Sequence, residues 1–462
     1  PHPVWRLGLV AAATLMAGAL PAGPPNSLGL VPGVQEIRPV DPVRVALRET
    51  LGAAAGPVAD YYRAQGFRPL WVADGRLRPE AFEVLRLVRG AADDALDPAA
   101  YAPAKLEAAL NRARAGDAQA LARAELAVSS AFSRYISDLH RPPAGAALQF
   151  RDPGLPAPPL NPRAVLDAAA GARDAADYLA TMRRMHPIYE RLRDEYRQVR
   201  ASGGDDASMS ALLAANMARA RALPADPGPR YVIVDPAAQR LWAFENGRAV
   251  DTMQVIVGRT SAETPNLGAR IQYASFQPYW NVPVDVTRDE IAPHVLREGT
   301  DYLRRERMEV LSDWSEAAHA VDPDTVDWAA VAAGTTLLRV RGVPGDWNIL
   351  GRVKLMAPNP LGIYLHDTPD KGPFAHDARA LSHGCIRLEH AMRLTRWLLG
   401  ARADDPPSGP DARVDLAAPV PVYVIYMTLT PNGRGLDRWP DLYGRDKALL
   451  AELAEAKTAG GD

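Results

Sequence analysis

The chain has 462 residues, a length that accommodates two or three domains of ordinary size. Hydrophobic residues make up 47% and charged residues 23%, a composition typical of globular rather than disordered proteins. A formal net charge of −2 gives no electrostatic basis for binding nucleic acid, so we expect no nucleic-acid partner.

The N-terminal residues have the order of a secretory signal. Arg6 precedes an uncharged, mostly apolar run from Leu7 to Leu20, and small residues and prolines follow from Pro21. A basic residue, a short apolar core and small residues are the parts of a signal peptide. The run is shorter than the ~20 apolar residues that a membrane-spanning helix needs. Residues 1–25 are therefore predicted to be a signal peptide, with an uncleaved N-terminal anchor as the alternative.

Residues 26–226 are predicted to form a helical scaffold domain. Apolar residues recur at helical spacing in four segments, which are Val43 to Arg63, Glu80 to Ala92, Ala120 to Leu139 and Arg183 to Arg200. The segment from Arg141 to Pro162 is rich in Pro and Gly, a composition that predicts a loop.

The sequence becomes β-rich beyond residue 227. Short runs of β-forming residues stand at Tyr231 to Asp235, Gln239 to Phe244, Ala249 to Gly258, Arg270 to Trp280 and Pro419 to Thr428. Asn246-Gly247 between two of them is a strong hairpin signal. These patterns predict an α+β protein whose helical half is followed by a mixed-sheet or β-sandwich domain over 227–430, with a C-terminal extension over 431–462.

A helical, charged segment interrupts the β-rich part from Asp289 to Trp347. An insertion of this length is too long for an ordinary connecting loop. We expect it to be a helical cap over an active site, and a functionless helical excursion is the alternative.

Cys385 is the single cysteine of the chain, so it forms no internal disulfide. A lone thiol in an exported protein is either buried and inert or used in chemistry. Four of the nine histidines stand near it, at His366, His376, His383 and His390. A cysteine attacks as thiolate, and an imidazole close in space can take its proton. His366 ends the apolar run Leu361 to Leu365, which predicts a strand that delivers the base.

The residues after Cys385 predict a way to activate the thiol. Ile386 to Leu399 has the pattern of a helix, whose N-terminal dipole would lower the pKa of the thiol. Gly384 permits close approach of a substrate, and the amides near Gly384 and Cys385 are expected to donate to an oxyanion. A zinc site formed by His366, His383 and Cys385 is the competing interpretation, but the chain has no CxxC pair and no HExxH motif. We expect no metal and no cofactor.

The motifs resemble those of the YkuD-type L,D-transpeptidases, and within them the large periplasmic YcbB-like subgroup. The signature is Ser382-His383-Gly384-Cys385 followed by Ile386-Arg387-Leu388 and preceded by His366. Further similar segments are Thr264-Pro265, PYWNVP from Pro278, NILGRVK from Asn348, YLHDT from Tyr364, WPDLYGR from Trp439, and, in the helical half, YYRAQGFRPLW from Tyr61 and LDPAAY from Leu96. A peptidoglycan-binding module, frequent in the subgroup, leaves no recognisable pattern between Gln149 and Asp226.

The resemblance implies roles for these residues. Cys385 is the nucleophile that attacks a tetrapeptide stem and expels D-Ala, and His366 is the base, oriented by a main-chain carbonyl near Asp367. Ser382, His383 and Gly384 shape the pocket and the oxyanion hole, while Arg387, Tyr364 and Trp280 are candidates for binding substrate. The 289–347 insertion corresponds to the subgroup's capping subdomain.

The implied activity is formation of 3→3 cross-links in peptidoglycan in the periplasm, with a diaminopimelate amine as acceptor and carbapenem β-lactams as inhibitors. Attachment of an outer-membrane lipoprotein by the same chemistry, a hydrolytic cysteine peptidase and a non-catalytic wall-binding protein stay open. The oligomeric state and any protein partner are not predicted from the sequence.

Overall fold

The computed structural model describes residues 41–157, 161–202 and 207–459, with the backbone alone described for Ala175 and 456–459. The predicted signal peptide or anchor at 1–25 lies outside these residues. No helix in the described ranges is long and apolar enough to cross a membrane.

The N-terminal half is helical, as the sequence predicts. Its helices are α1 (Pro42–Leu51), α2 (Pro57–Ala64), α3 (Pro79–Arg89), α4 (Pro103–Ala113), α5 (Ala118–His140), α6 (Pro162–Gly171), α7 (Ala175–Arg183), α8 (Pro187–Ala201) and α9 (Ala207–Ala220). Many of them begin at a proline, which suits the first helical turn because that turn leaves backbone N–H groups unpaired anyway.

Two predictions in this half need correction. The single helix predicted from Val43 to Arg63 is two helices, because the chain turns at Gly52 and Gly56, whose φ angles are +44° and +119°. The loop predicted from Arg141 to Pro162 contains a short strand, β3 (Phe150–Arg151), which pairs in parallel with a strand of the C-terminal half.

The strands and remaining helices follow in chain order. A small hairpin, β1 (Val72–Ala73) and β2 (Arg76–Leu77), lies within the helical half. The β-rich half contains β4 (Arg230–Asp235), β5 (Arg240–Glu245), β6 (Arg248–Gly258), β7 (Leu267–Phe276), β8 (Trp280–Asn281), β9 (Met308–Leu311), β10 (Ala320–Val321), β11 (Arg339–Gly342), β12 (Val353–Met356), β13 (Leu365–His366), β14 (Ala380–Ser382), β15 (Ile386–Leu388), β16 (Ala412–Val424), β17 (Leu429–Asn432) and β18 (Gly435–Arg438). Its helices are α10 (Val284–Val286), α11 (Ala292–Glu298), α12 (Asp301–Arg305), α13 (Trp328–Ala332), α14 (Ala391–Leu399) and α15 (Arg445–Ala459).

The main sheet is mixed and has the strand order β12-β13-β15-β6-β5-β4-β16-β7-β3. A further pairing of β12 with β7 links the two sides of this order, and β14 adds in parallel to β6. The predicted hairpin between β5 and β6 is confirmed, with positive φ at both Asn246 and Gly247. The sequence thus identifies the hairpin from its turn residues alone.

The two faces of the sheet contribute to two cores, because successive side chains of a strand point to opposite faces. In β4, Val232 and Val234 join the core that the sheet shares with α14. Tyr231 and Ile233 point the other way and pack in the core of the helical half. The helical region is therefore packed directly against one face of the sheet.

The insertion that was predicted to be a helical cap contains a sheet as well as helices, and we call this subdomain the cap. A four-stranded sheet of order β10-β9-β11-β8 packs with α11 and α13 around a separate apolar core. The cap also begins earlier than predicted, because Trp280 in β8 pairs with Gly342 in β11. The strand β11 is hard to recognise from sequence, since Arg339 and Arg341 alternate with the one buried apolar residue, Val340.

Candidate active site

The loop that carries Cys385 connects two strands that both pair with β6. β14 ends at Ser382 and runs parallel to β6, whereas β15 begins at Ile386 and runs antiparallel to it. The prediction of a helix directly after Cys385 is wrong, because α14 begins only at Ala391. The side chains of Ile386 and Leu388 belong to the sheet core, and that of Arg387 between them does not. Strand pairing therefore determines the conformation of this segment. A helix dipole therefore does not activate the thiol.

Hydrogen bonds inside the loop fix its shape. The Ser382 hydroxyl donates to the Cys385 carbonyl over 2.6 Å and accepts from the Gly384 amide over 3.1 Å. Gly384 has a φ of +109°, which L side chains rarely adopt, and a Cβ there would lie 3.2 Å from Ile363 Cδ1. The Gly384 amide is thus already paired, contrary to its predicted role as an oxyanion donor. The Cys385 amide forms no hydrogen bond within the described ranges and is left as the donor for an oxyanion.

A second layer braces this loop from the other side. Thr264 Oγ1 donates to the Gly384 carbonyl and accepts from the Gly258 amide, each over 2.8 Å. The Tyr443 hydroxyl donates to the Gly258 carbonyl, also over 2.8 Å. The sequence motifs at Thr264-Pro265 and Trp439 to Arg445 marked these positions, but residue patterns alone did not predict that they hold the loop.

His366 lies on β13, between β12 and β15. It is paired with Lys354 on one side and with Arg387 on the other, and only 3% of it is exposed. Its Nδ1 lies 2.6 Å from the Asp367 carbonyl oxygen. A carbonyl only accepts, so Nδ1 carries the proton and Nε2 presents a lone pair. The main-chain carbonyl was expected in the Asp367 region and is found there.

The side chain of Asp367 holds this strand in place. Its Oδ1 binds Lys371 Nζ over 2.8 Å, and its Oδ2 accepts from the Arg352 amide over 3.0 Å. Lys371 Nζ also donates to the carbonyls of Leu388 and Glu389, at 3.1 and 2.9 Å. One ammonium therefore ties the strand of His366 to the strand that follows Cys385, a role that sequence reasoning missed.

Tyr364 neighbours both the thiol and the imidazole. Its ring centroid lies 5.7 Å from that of His366, and hydrogen bonds from its main chain and side chain reach Cys385. Cys385 Sγ donates toward the Gly362 carbonyl over 3.7 Å. In the part of the chain that the structure describes, no hydrogen bond joins the thiol directly to His366.

Burial controls the protonation of both groups. Burial, and then the nearby charge of Arg387, lower the pKa of His366 to about 3. Burial also raises the pKa of the Cys385 thiol, and the hydrogen bonds from Tyr364 and the charge of Arg387 offset only part of that rise. At neutral pH the site therefore contains a neutral thiol and a neutral imidazole that is able to accept a proton.

The remaining predicted residues have different surroundings. Arg387 extends from the same face as His366, and its Nε is buried and has no hydrogen-bond partner among the described residues. His383 is exposed, and its Nε2 lies 2.7 Å from Oε1 of Glu290 in the cap, so it links the loop to the cap rather than shaping the pocket. Trp280 packs against the cap core and lines a cavity of about 240 Å³ there together with Glu290.

The three residues considered for zinc are not assembled as ligands. Within the ranges that the structure describes, no group of three His, Cys, Asp or Glu side chains is close enough to hold a metal ion. Nδ1 of His366 bonds Asp367 O, and His383 bonds the cap residue Glu290.

Comparison with known proteins assigns both halves of the chain. Residues 229–424 match the model of the YkuD family, described as the L,D-transpeptidase catalytic domain. Residues 56–195 match a model described as a scaffold domain.

A Haemophilus influenzae protein, whose name assigns it provisionally to the L,D-transpeptidases, is 28% identical over 256 residues. The alignment covers 54% of this chain and 51% of that protein, so the chain spans about half the length of this curated relative.

Two solved structures are similar at low identity. One shows the carbamoyl enzyme formed by Ldtfm with avibactam (12% identity, 44% of this chain and 51% of the other, TM-score 0.22). The second is an L,D-transpeptidase from Mycobacterium smegmatis (13% identity, 42% and 58%, TM-score 0.21). At these TM-scores the two structures show no more than a resemblance. The family models place an L,D-transpeptidase catalytic domain of the YkuD type at residues 229–424 and a helical scaffold domain before it.

Proposed function

We propose that the protein forms 3→3 peptidoglycan cross-links through a thioacyl-enzyme on Cys385, with His366 as the base. The observation that carries this proposal is the tautomer of His366. Because Nδ1 donates to the Asp367 carbonyl, Nε2 is a proton acceptor on the strand next to the one that follows Cys385.

The first half-reaction acylates the enzyme. The Cys385 sulfur attacks the carbonyl of the diaminopimelate residue in a tetrapeptide stem, and its proton passes to His366 Nε2. The Cys385 amide stabilises the tetrahedral oxyanion. When the intermediate collapses, the C–N bond to D-Ala breaks and His366 returns the proton to the leaving nitrogen. The products are a thioester on Cys385 and free D-Ala.

The second half-reaction transfers the acyl group. The side-chain amine of diaminopimelate in another stem attacks the thioester, and His366 takes the proton that this nitrogen loses. The C–S bond then breaks, and the proton restores the Cys385 thiol. No oxidant, reductant or cofactor enters this balance.

The same thiol accounts for a proposed reaction with carbapenems. Attack on the β-lactam carbonyl opens the ring C–N bond, and the proton goes to the ring nitrogen, so the opened drug stays bound as a thioester. We place this chemistry in the periplasm, where the predicted signal or anchor at 1–25 would deliver the enzyme to the wall.

Lipoprotein attachment is the second candidate function. It uses an identical first half-reaction, so the features of Cys385 and His366 support it equally. The two functions differ only in the amine that accepts the acyl group.

An assay with purified components tests the proposal. The protein is incubated with disaccharide–tetrapeptide, the products are separated, and their masses are determined by mass spectrometry. We expect dimers linked from diaminopimelate to diaminopimelate, one D-Ala released per dimer, and loss of both in the Cys385→Ala variant. Release of D-Ala with tripeptide monomer as the sole product would identify a hydrolase instead, and the absence of any D-Ala release would refute the proposed chemistry.

A further inference from the structure

Lys354 shares one face of the sheet with His366 and Arg387. In β12, Lys354 pairs with His366 of β13, and His366 pairs with Arg387 of β15. Residues directly opposite one another on paired strands project from the same face, about 5 Å apart. The three side chains therefore form a row in which a cation stands on each side of the imidazole.

The ammonium of Lys354 has no bonded partner within the described ranges, although the residue is largely withdrawn from solvent. Its Nζ lies over the Tyr364 ring, 5.6 Å from the centroid. The carboxylate of Asp411 raises the pKa of Lys354 but accepts a hydrogen bond from Ser275 Oγ over 2.8 Å rather than one from the lysine. Burial acts in the opposite direction and lowers the pKa of Lys354 overall.

Lys371 provides a comparison within the same site. Three oxygens within 3.1 Å satisfy its ammonium, so that lysine has a structural role. Lys354 has the same charge in a more enclosed position and none of these bonds. A withdrawn ammonium without an acceptor is costly, and a ligand carboxylate would remove that cost.

The chemistry of the proposed reaction indicates which carboxylate of the substrate would lie beside Lys354. His366 must protonate the nitrogen of the departing D-Ala, so this nitrogen lies beside the imidazole in the transition state. The carboxylate of D-Ala is attached to the same Cα as that nitrogen. It must therefore lie next to His366, where the flanking cations are Lys354 and Arg387.

We propose that Lys354 binds the terminal D-Ala carboxylate of the donor stem and thereby makes the enzyme select stems with a free C-terminus. The inference rests on the proposed function. It assigns Lys354 rather than Arg387 because the Lys354 ammonium lies over Tyr364, the residue whose hydrogen bonds reach the Cys385 sulfur.

The experiment compares two donors in the full-length protein. One is the tetrapeptide with a free D-Ala carboxylate, and the other is the same peptide with a C-terminal amide. For wild type we expect kcat/KM of acylation to favour the free acid by roughly tenfold to a hundredfold, the range for a hydrogen bond to a charged group. Lys354→Met should lose most of this preference by slowing the acid donor while leaving the amide donor nearly unchanged.

Three further variants make the result specific. Lys354→Arg, which keeps the charge, should retain a preference for the acid. Arg387→Met is the matched control on the other side of His366, and it should slow both donors without removing the preference. If Lys354→Met does not fold, Lys354→Gln replaces it, with the acid-to-amide ratio as the same readout.

The outcomes separate the two proposals. If wild type is acylated by neither donor, the proposed function fails. If wild type is acylated and prefers the acid, but the Lys354 variant keeps that preference, the assignment to Lys354 is overturned while the function stands. Loss of the preference in Arg387→Met alone would show that Arg387, rather than Lys354, binds the D-Ala carboxylate.

Discussion

The thiol and the imidazole of the site are both neutral at rest, so the proton must move as the sulfur attacks. A preformed thiolate–imidazolium pair would instead need a raised imidazole pKa and a lowered thiol pKa. Burial instead lowers the pKa of the imidazole and raises the pKa of the thiol. Selectivity then follows, because a neutral thiol reacts slowly with other electrophiles until a bound substrate aligns the pair.

The rate at which Cys385 is alkylated should therefore rise steeply with pH. With iodoacetamide, an uncharged reagent, we expect a midpoint above the value of a free cysteine, about 8.5, because the thiolate fraction at neutral pH is small. The measurement is the rate of mass gain of the intact protein between pH 6 and 10. A rate that is already maximal at pH 6 would indicate a stable thiolate and contradict the assignment.

Sequence reasoning at the residue scale selected Cys385 and His366 as the candidate nucleophile and base, and it anticipated the main-chain carbonyl of Asp367 that His366 Nδ1 contacts. It did not recognise Lys354, Lys371 or Glu290 as parts of the site. The proposed nucleophile and base stand in a dense local motif, whereas the other three act mainly through partners that are remote in sequence or belong to the cap. Such contacts follow from strand register and loop packing, which no local pattern encodes.

The motif loop depends on elements that lie outside the motif. Thr264 and Tyr443, from two different connecting segments, fix the backbone of Gly258, at the end of β6, and of Gly384, the residue before Cys385. This arrangement holds the loop in the positive-φ conformation of Gly384.

Thr264→Val should weaken both the loop and the activity. Valine has nearly the same shape but leaves the Gly384 carbonyl and the Gly258 amide without their partner, at a cost of about 1–3 kcal/mol for each buried group. We expect acylation by a carbapenem to slow by at least about tenfold and the melting temperature to fall.

Ser261→Ala provides the control, since Ser261 is exposed in the same turn. It should leave both quantities unchanged. Acylation at the wild-type rate in Thr264→Val would show that the brace does not position Cys385.

At the element scale, the error about the helix after Cys385 has a clear cause. The segment from Ile386 to Leu399 contains apolar residues that fit a helix. Its first three residues, however, alternate between apolar and charged, and they pair with β6 as strand β15. Long-range pairing overrode local periodicity there and also in β11 of the cap. The hairpin at Asn246-Gly247 was predictable because its turn residues determine the geometry locally.

The helical half and the sheet share one core, so the scaffold is part of the support for the active site. The core of the helices includes Tyr231, Ile233 and Tyr423 from the sheet, and Ile425 directly after β16. The fold class and the order of the two halves were predictable from composition and periodicity. Their extensive contact was not, because helical periodicity reveals an apolar face without naming the surface that covers it.

A single buried amide makes part of this connection. Asn216 in α9 accepts hydrogen bonds from the amides of Thr428 and Leu429, over 2.9 and 3.2 Å, and donates to Thr428 Oγ1 over 3.1 Å. Asn216→Ala would leave these groups without their hydrogen-bond partner and should lower the free energy of unfolding by about 2–4 kcal/mol.

The expected result is a fall in the melting midpoint of both halves together. Far-ultraviolet circular dichroism measures this midpoint, and the temperature at which carbapenem acylation is lost should fall in parallel. Ser208→Ala, at the exposed start of the same helix, should change neither. Melting of the helices alone, with acylation intact, would show that the two halves are independent.

The acyl-enzyme itself is the most direct test of the whole account. Intact-protein mass spectrometry, after brief exposure to a tetrapeptide donor whose diaminopimelate side-chain amine is blocked so that it cannot act as acceptor, should show one added tripeptide acyl group, removable by hydroxylamine as a thioester is. Peptide mapping should locate the adduct on Cys385, and the Cys385→Ala variant should carry none. An adduct on another residue, or one that persists in Cys385→Ala, would contradict the assignment of Cys385 as the nucleophile.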